Sequence, residues 1–279
     1  VAYRDQGNSQ RGTAVVGTVS GTSISFGTPV VFETGDSTYI STTFDSTAGK
    51  VVIAYRDNGD SNKGKAIVGT VNNTAISFGT AVVFETGATA YIGIAFNSDS
   101  NKVVIAYSDS GNSAYGTAAV GTVSGTSISF GTAVVFESAD TRETSVSTNG
   151  EGTVLIIYRD VGNSSYGTAV AGTLNNTSIS FGTPTVHTSG TSTFNSVAYD
   201  SNAGKFVAAF RDGTNSNGCV ALVVTVSGTS VSFGSKVVLD SPTSNYISTG
   251  YNPVSKKVGV AYTSSSNSNS GRFRVGTVS

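Results

Sequence analysis

Arginine, aspartate and glutamate recur at fixed places in this chain, where they could grip a polar ligand through planar, charge-assisted hydrogen bonds. One set reads Arg4-Asp5, Arg56-Asp57, Ser108-Asp109, Arg159-Asp160 and Arg211-Asp212, each followed by a Gly-containing turn. A second set holds Glu33, Glu85 and Glu137, with His187 and Asp240 at the equivalent places. Tyr39, Tyr91 and Tyr246 lie nearby, and rings beside guanidinium and carboxylate groups are what a shallow sugar site needs. The same residues also have a structural use: each Asp can cap its own turn as an Asx motif while Arg pairs with a neighbouring carboxylate. Repetition favours that use, because folding asks the same of every copy.

Other chemistries find less support. Asp57-Asn58-Gly59-Asp60-Ser61 offers several oxygens, but it lacks the alternating acids and distal bidentate Glu of a calcium loop. His187 is the single histidine and has no second ligand type beside it, so it reads as a loop residue. Cys219 opens a strand and reads as a buried thiol; one cysteine excludes a disulfide framework and a multi-cysteine zinc site. Asn72, Asn163, Asn175 and Asn176 match the N-x-S/T pattern, which arises by chance in a chain this rich in Asn, Ser and Thr. The one irregular segment is Ala139-Asp140-Thr141-Arg142-Glu143, the single candidate for special chemistry. Neither metal nor cofactor is expected.

Those residues are positioned by a repeat. Tyr3, Tyr55, Tyr107, Tyr158, Phe210 and Tyr262 each end an apolar run and are separated by 52, 52, 51, 52 and 52 residues. The Ser-Phe-Gly steps at Phe26, Phe78, Phe130, Phe181 and Phe233 keep the same period, as do the VGTV-like segments at Val16, Val68, Val120, Ala171, Val223 and Val275. A period near fifty points to stacked supersecondary units. Within residues 38–86 the pattern predicts a small-residue strand a (38–45), an apolar strand b (51–55), strand c (66–71) and strand d (76–84), with no helical period. The continuous run of strand b implies burial on both faces.

The fold expected is therefore all-β, a β-propeller of four-stranded antiparallel blades. The repeats fall at about 1–35 (partial), 36–87, 88–139, 140–190, 191–241 and 242–279 (partial), within one domain. The chain begins b-c-d and ends a-b-c, which fits six blades better than five. The b-to-c and d-to-a loops then share one face.

A small-residue strand, a D-x-x-x-G-K turn and an apolar strand resemble the first half of WD40 and NHL blades, although the WD dipeptide and every Trp are absent. The wording GTVSGTSISFGTPVVF is similar to repeats of phage and bacterial surface proteins, which implies a tail-fibre, adhesion or receptor-facing role. Propeller sialidases and glycosidases need a dissimilar set of acid, nucleophile and arginines, whereas these loops are near-equivalent. The sequence therefore leads to a structural or binding module without enzymatic activity, on a virion or cell surface, facing a glycan or surface receptor. A soluble multivalent lectin is the alternative, and a propeller glycoside hydrolase stands behind both.

Partners could include other copies or flanking domains. With a net charge of −1 and scattered Lys and Arg there is no footprint for nucleic acid, and no apolar run is long enough to insert in a membrane as a helix.

Overall fold

The computed structural model describes residues 1–265 and 268–278, so the sixth repeat at 242–279 includes positions outside the described residues. The protein is all-β, and its strands are interrupted by single-turn 3₁₀ segments such as Gln6–Asn8 and Ser110–Asn112.

Each repeat contributes an apolar b strand: Ala2–Asp5, Lys50–Asp57, Lys102–Asp109, Thr153–Asp160, Lys205–Asp212 and Lys257–Ser264. Each b strand pairs antiparallel with a c strand, as Tyr55 opposite Lys65 and Tyr107 opposite Thr117 illustrate. Because successive side chains of a strand point to opposite faces, each b strand feeds two apolar seams. Val52 and Ala54 pack with Val103, Ile105 and Tyr107 of the following sheet, while Ile53 and Tyr55 pack back on Ala14 and Phe32. The core is thus a series of seams between successive sheets rather than one central cluster. Val52, Tyr55, Val103 and Tyr107 are completely buried, and each such side chain contributes roughly 1.5–3 kcal/mol.

Two expectations about strand d need correction. First, it is split: Ala75–Phe78 closes a hairpin on the end of the c strand, and the chain then restarts at Val82. Second, four of the expected d-to-a loops do not exist, and only residues 239–243, between Val237–Val238 and Ser244–Asn252, form such a loop among the described residues. Val30–Asp45, Val82–Asn97, Val134–Thr148 and Thr185–Asp200 are continuous strands of 15 or 16 residues. The outer half of each pairs with the preceding c strand and the inner half with the following b strand. Pairing therefore runs unbroken through nineteen strands, and the expected separate four-stranded blades become one continuous antiparallel ladder. A strand that changes partners midway keeps its backbone groups paired, which a connecting loop would leave to water.

The crossing is tight. A Cβ on Gly64 would lie 2.5 Å from the Phe84 ring, and Gly12 and Gly116 stand in the same relation to Phe32 and Phe136. Only glycine lets the ring lie flat on the c strand there. At the far end of the inner segments, Thr43, Ala95, Ser147, Ala198 and Tyr251 line one cavity of about 460 Å³. Five successive inner segments thus surround a common space.

Candidate functional site

Every inner segment carries a bulge at one place, where the register against its b strand shifts between Thr38 and Ser41, Arg142 and Ser145, Thr193 and Ser196, and Asn245 and Ser248. The residue in that bulge is left-handed each time: Tyr39 at φ 50°, Tyr91 at 51°, Glu143 at 56°, Phe194 at 53° and Tyr246 at 52°. Bulky side chains rarely adopt this conformation, and bulges re-aim the side chains that occupy them.

The five bulged residues form an arc across one face. The Tyr39 and Tyr91 ring centroids are 5.1 Å apart and those of Phe194 and Tyr246 5.4 Å apart. Between these pairs, Thr144 Oγ1 donates to the Tyr91 carbonyl, Phe194 N donates to Glu143 Oε2 at 3.2 Å, and Asn195 Nδ2 donates to the Glu143 carbonyl at 3.1 Å. Two arginines lie over the arc: Arg56 is 4.9 Å from the Tyr39 ring centroid and Arg211 5.3 Å from that of Phe194. Tyr246 is 75% exposed and Tyr39 36%, so the aromatic surface faces outward.

The b-to-c turns lie beside this arc, and they carry the expected aspartates. Asp57 Oδ1 accepts from Gly59 N (2.9 Å) and Asp60 N (3.2 Å), and Lys65 reaches its other oxygen at 2.6 Å. Asp109 accepts from Asn112 N at 3.1 Å, Asp160 from Asn163 N at 3.0 Å, and Asp212 from Thr214 N at 3.0 Å. Asp5 makes no side-chain cap bond to its 3₁₀ turn. Burial pushes the Asp109 and Asp160 carboxyls above the usual range. Burial pushes Asp212 up as well, but hydrogen bonds from Lys236, Thr214 and Thr188 outweigh it and the net shift is downward.

The arginines are not equivalent. Arg4 forks onto Asp36 (2.8 and 3.1 Å), Arg56 donates to Thr38 Oγ1 and Asn58 Oδ1, and Arg211 donates to Asn245 Oδ1 at 2.7 Å. In the irregular segment Arg142 forks onto Asp140 (3.1 and 2.8 Å). Arg142 stands directly opposite Arg159 in the ladder, and Arg159 Nε is buried with no hydrogen-bond partner.

The glutamates do not join the arginines. Tyr55, Tyr107 and Tyr158 donate their hydroxyls to Glu33 (3.0 Å), Glu85 (3.0 Å) and Glu137 (2.9 Å), each bond crossing from one sheet to the next. His187 is misplaced by one residue in the sequence reading. It occupies the position of Phe32, Phe84 and Phe136, with its ring 4.4 Å from Phe210, and Thr188 takes the glutamate position. It is buried rather than a loop residue, both ring nitrogens lack partners, and desolvation pulls its pKa down to about 3. Cys219 is fully buried and burial pushes its thiol up to about 12, so it is not a reactive nucleophile.

Sequence reasoning missed Phe194 and placed Glu143 only in the irregular segment. The signal available was distance: each arc residue precedes its Arg-Asp or equivalent step by 16 or 17 positions.

No protein-family model and no curated protein matches the chain. Among solved structures, it is similar to an arginine-to-alanine triple mutant of AofleA from Arthrobotrys oligospora, with 8% identity, 96% of this chain and 76% of that one covered, and a TM-score of 0.60. It is also similar to the leech intramolecular trans-sialidase complexed with 2,7-anhydro-Neu5Ac (10% identity, 94% and 41% covered, TM-score 0.53). A third similar structure is the exo-β-1,3-galactanase from Phanerochaete chrysosporium with β-1,3-galactotriose (9% identity, 85% and 59% covered, TM-score 0.51). At such identity the likeness is one of fold, and the neighbours are propeller-type. The expectation of a chain without enzymatic activity is overturned here. A trans-sialidase and a galactanase share this fold, so near-equivalent loops do not set it apart from catalysts.

Proposed function

We propose that the protein is a carbohydrate-binding β-propeller whose glycan site is the arc Tyr39–Tyr91–Glu143–Phe194–Tyr246 with Arg56 and Arg211. The radial reading is supported by the five inner segments around one cavity and by the seams between successive sheets. The observation that carries the functional reading is the set of strained bulges. Each left-handed non-glycine residue costs on the order of 1 kcal/mol, and strain repeated at one surface, where only Phe194 also packs on the core, marks a functional position. Paired, tilted rings with a forked cation above them match the apolar face and hydroxyl edge of a sugar.

Presentation outside the cell or on a virion, in adhesion or receptor recognition, is part of the proposal. A second reading, glycoside cleavage, rests on Glu143 as the single carboxylate in the arc. The test is a glycan array of wild type beside Tyr39→Ala and Arg56→Ala, with chromogenic glycosides run against wild type and Glu143→Gln. Binding that both array variants lose supports the arc. Hydrolysis lost in Glu143→Gln supports the second reading, and no glycan signal in either format refutes both.

A further inference from the structure

The interior repeats show what covers each sheet, and two faces of the molecule present the same residues uncovered. In the interior, the b-strand aromatic takes a ring from the preceding long strand: Phe32 on Tyr55 (5.2 Å), Phe84 on Tyr107 (5.2 Å), Phe136 on Tyr158 (5.3 Å) and His187 on Phe210 (4.4 Å). Three of these also take the glutamate hydrogen bond. Tyr3 holds the same register place in the first sheet, opposite Thr13, and among the described residues no ring lies on it.

The flanking faces agree. Ile24 and Phe26 of the first repeat are each 54% exposed, whereas Ile128 and Ile179 at the first of these positions are 3% exposed. In the last sheet Phe273 and Val275 are 66% and 61% exposed, while Ala66 and Val68 in the same register are 0% and 1%.

The gap between these faces has a defined shape. Beside the last inner segment, Thr249, Tyr251, Gly259, Ala261, Phe273 and Val275 line a groove of about 530 Å³. At the edge of the first sheet, Val1, Val15, Val16, Thr43 and Phe44 line a second cavity of about 350 Å³. Between interior neighbours the equivalent space is filled by an inner segment, which bonds across as Thr249 N does by donating to Ser196 Oγ (2.8 Å). Thr43 and Tyr251 both border the common cavity, so the two openings flank one place in the circle of inner segments.

We propose that the open edge of the first sheet and the groove of the last together form a docking site for one extended β-strand of a partner polypeptide. The strand is of the same type as Val82–Asn97: about 16 residues, a Phe-Glu pair in its outer half and small or apolar residues in its inner half. Its outer half adds to the edge of Ser270–Gly276, and its inner half adds to Ala2–Asp5 by strand augmentation. Its Phe covers Tyr3 and its Glu accepts the Tyr3 hydroxyl. The inference stands on interior register and is independent of the glycan reading.

The test uses the whole chain and a labelled peptide with the sequence of residues 75–97. The expected result is saturable one-to-one binding by fluorescence anisotropy, a raised Tm, and new hydrogen-exchange protection at Ala2–Asp5 and Ser270–Gly276. A peptide carrying Phe84→Ala and Glu85→Ala should bind at least 10-fold more weakly, and in the protein variant Tyr3→Phe the single peptide change Glu85→Ala should lose its effect. Binding of the altered peptide, or of a scrambled one, as tight as that of the unaltered peptide overturns the proposal, as does no saturable binding. Sedimentation showing that a second copy of the chain buries these faces, with no displacement by the peptide, overturns it too.

Discussion

Asp160 and Asp212 hold the same turn in successive repeats, yet their removal should differ in size and in pH trend. Asp160 gives its turn one backbone bond, from Asn163 N at 3.0 Å. Asp212 accepts four: Thr214 N (3.0 Å), Thr214 Oγ1 (2.8 Å), Thr188 Oγ1 (2.9 Å) and Lys236 Nζ (2.6 Å). At about 1 kcal/mol net for each bond, with Lys236 discounted for its partial exposure, Asp160→Ala should cost roughly 1 kcal/mol and Asp212→Ala roughly 3 kcal/mol. For a chain of this size that means a Tm lower by about 2–4 °C and about 6–12 °C respectively.

The pH dependence should run in opposite senses. Asp212 is lowered in the folded state, so its contribution is full above the ordinary carboxylate value near 4 and fades as pH falls through the folded pKa. The gap between wild type and Asp212→Ala therefore closes in acid. Asp160 is raised by burial, so its contribution is full below the ordinary value and fades as pH rises through the folded pKa, and its gap widens in acid. Urea unfolding followed by circular dichroism between pH 3 and 7 measures both. Equal costs with parallel pH trends would refute the claim that local partners set each turn's electrostatics.

His187→Phe restores the ring used at Phe32, Phe84 and Phe136 and removes two unsatisfied nitrogens, so it should stabilise the protein by about 1–2 kcal/mol at neutral pH, measured by calorimetry. Because the folded imidazole is pulled down to about 3, wild type should also lose stability as pH falls from about 6.5 towards 3, and the variant should lack that loss. Tyr107→Phe strips Glu85 of its 3.0 Å donor but leaves Gly87 N bound at 2.8 Å, so denaturant titration should show a loss of about 1–2 kcal/mol. Tyr39→Ala should weaken glycan binding about 10-fold by calorimetric titration, the loss of one ring under the sugar at about 1.4 kcal/mol.

The 52-residue period and the apolar b strands were readable because burial on both faces demands an uninterrupted run, as in Val51 to Tyr55. The Asx residues Asp57 and Asp160 were readable because local side-chain to backbone bonds need only a short spacing. The long strands were hidden, since Glu33-Thr34-Gly35-Asp36-Ser37 carries turn chemistry, and only exchange of pairing partners midway keeps it extended. The destination of Glu33, Glu85 and Glu137 was hidden for a related reason: their Tyr partners lie 21 or 22 residues downstream, in the next sheet. Glu143 shares no side-chain chemistry with Tyr39, only a backbone bulge, and a bulge leaves no mark in composition.

The most direct measurement of the central claim is a crystal structure of the protein soaked with its strongest glycan-array ligand. The account predicts the sugar ring over Tyr39 and Tyr91 or over Phe194 and Tyr246, with Arg56 or Arg211 on its hydroxyls. Sugar found instead on the opposite face, among turns such as Gly125-Thr126 and Asn175-Asn176, with the arc left bare, contradicts it.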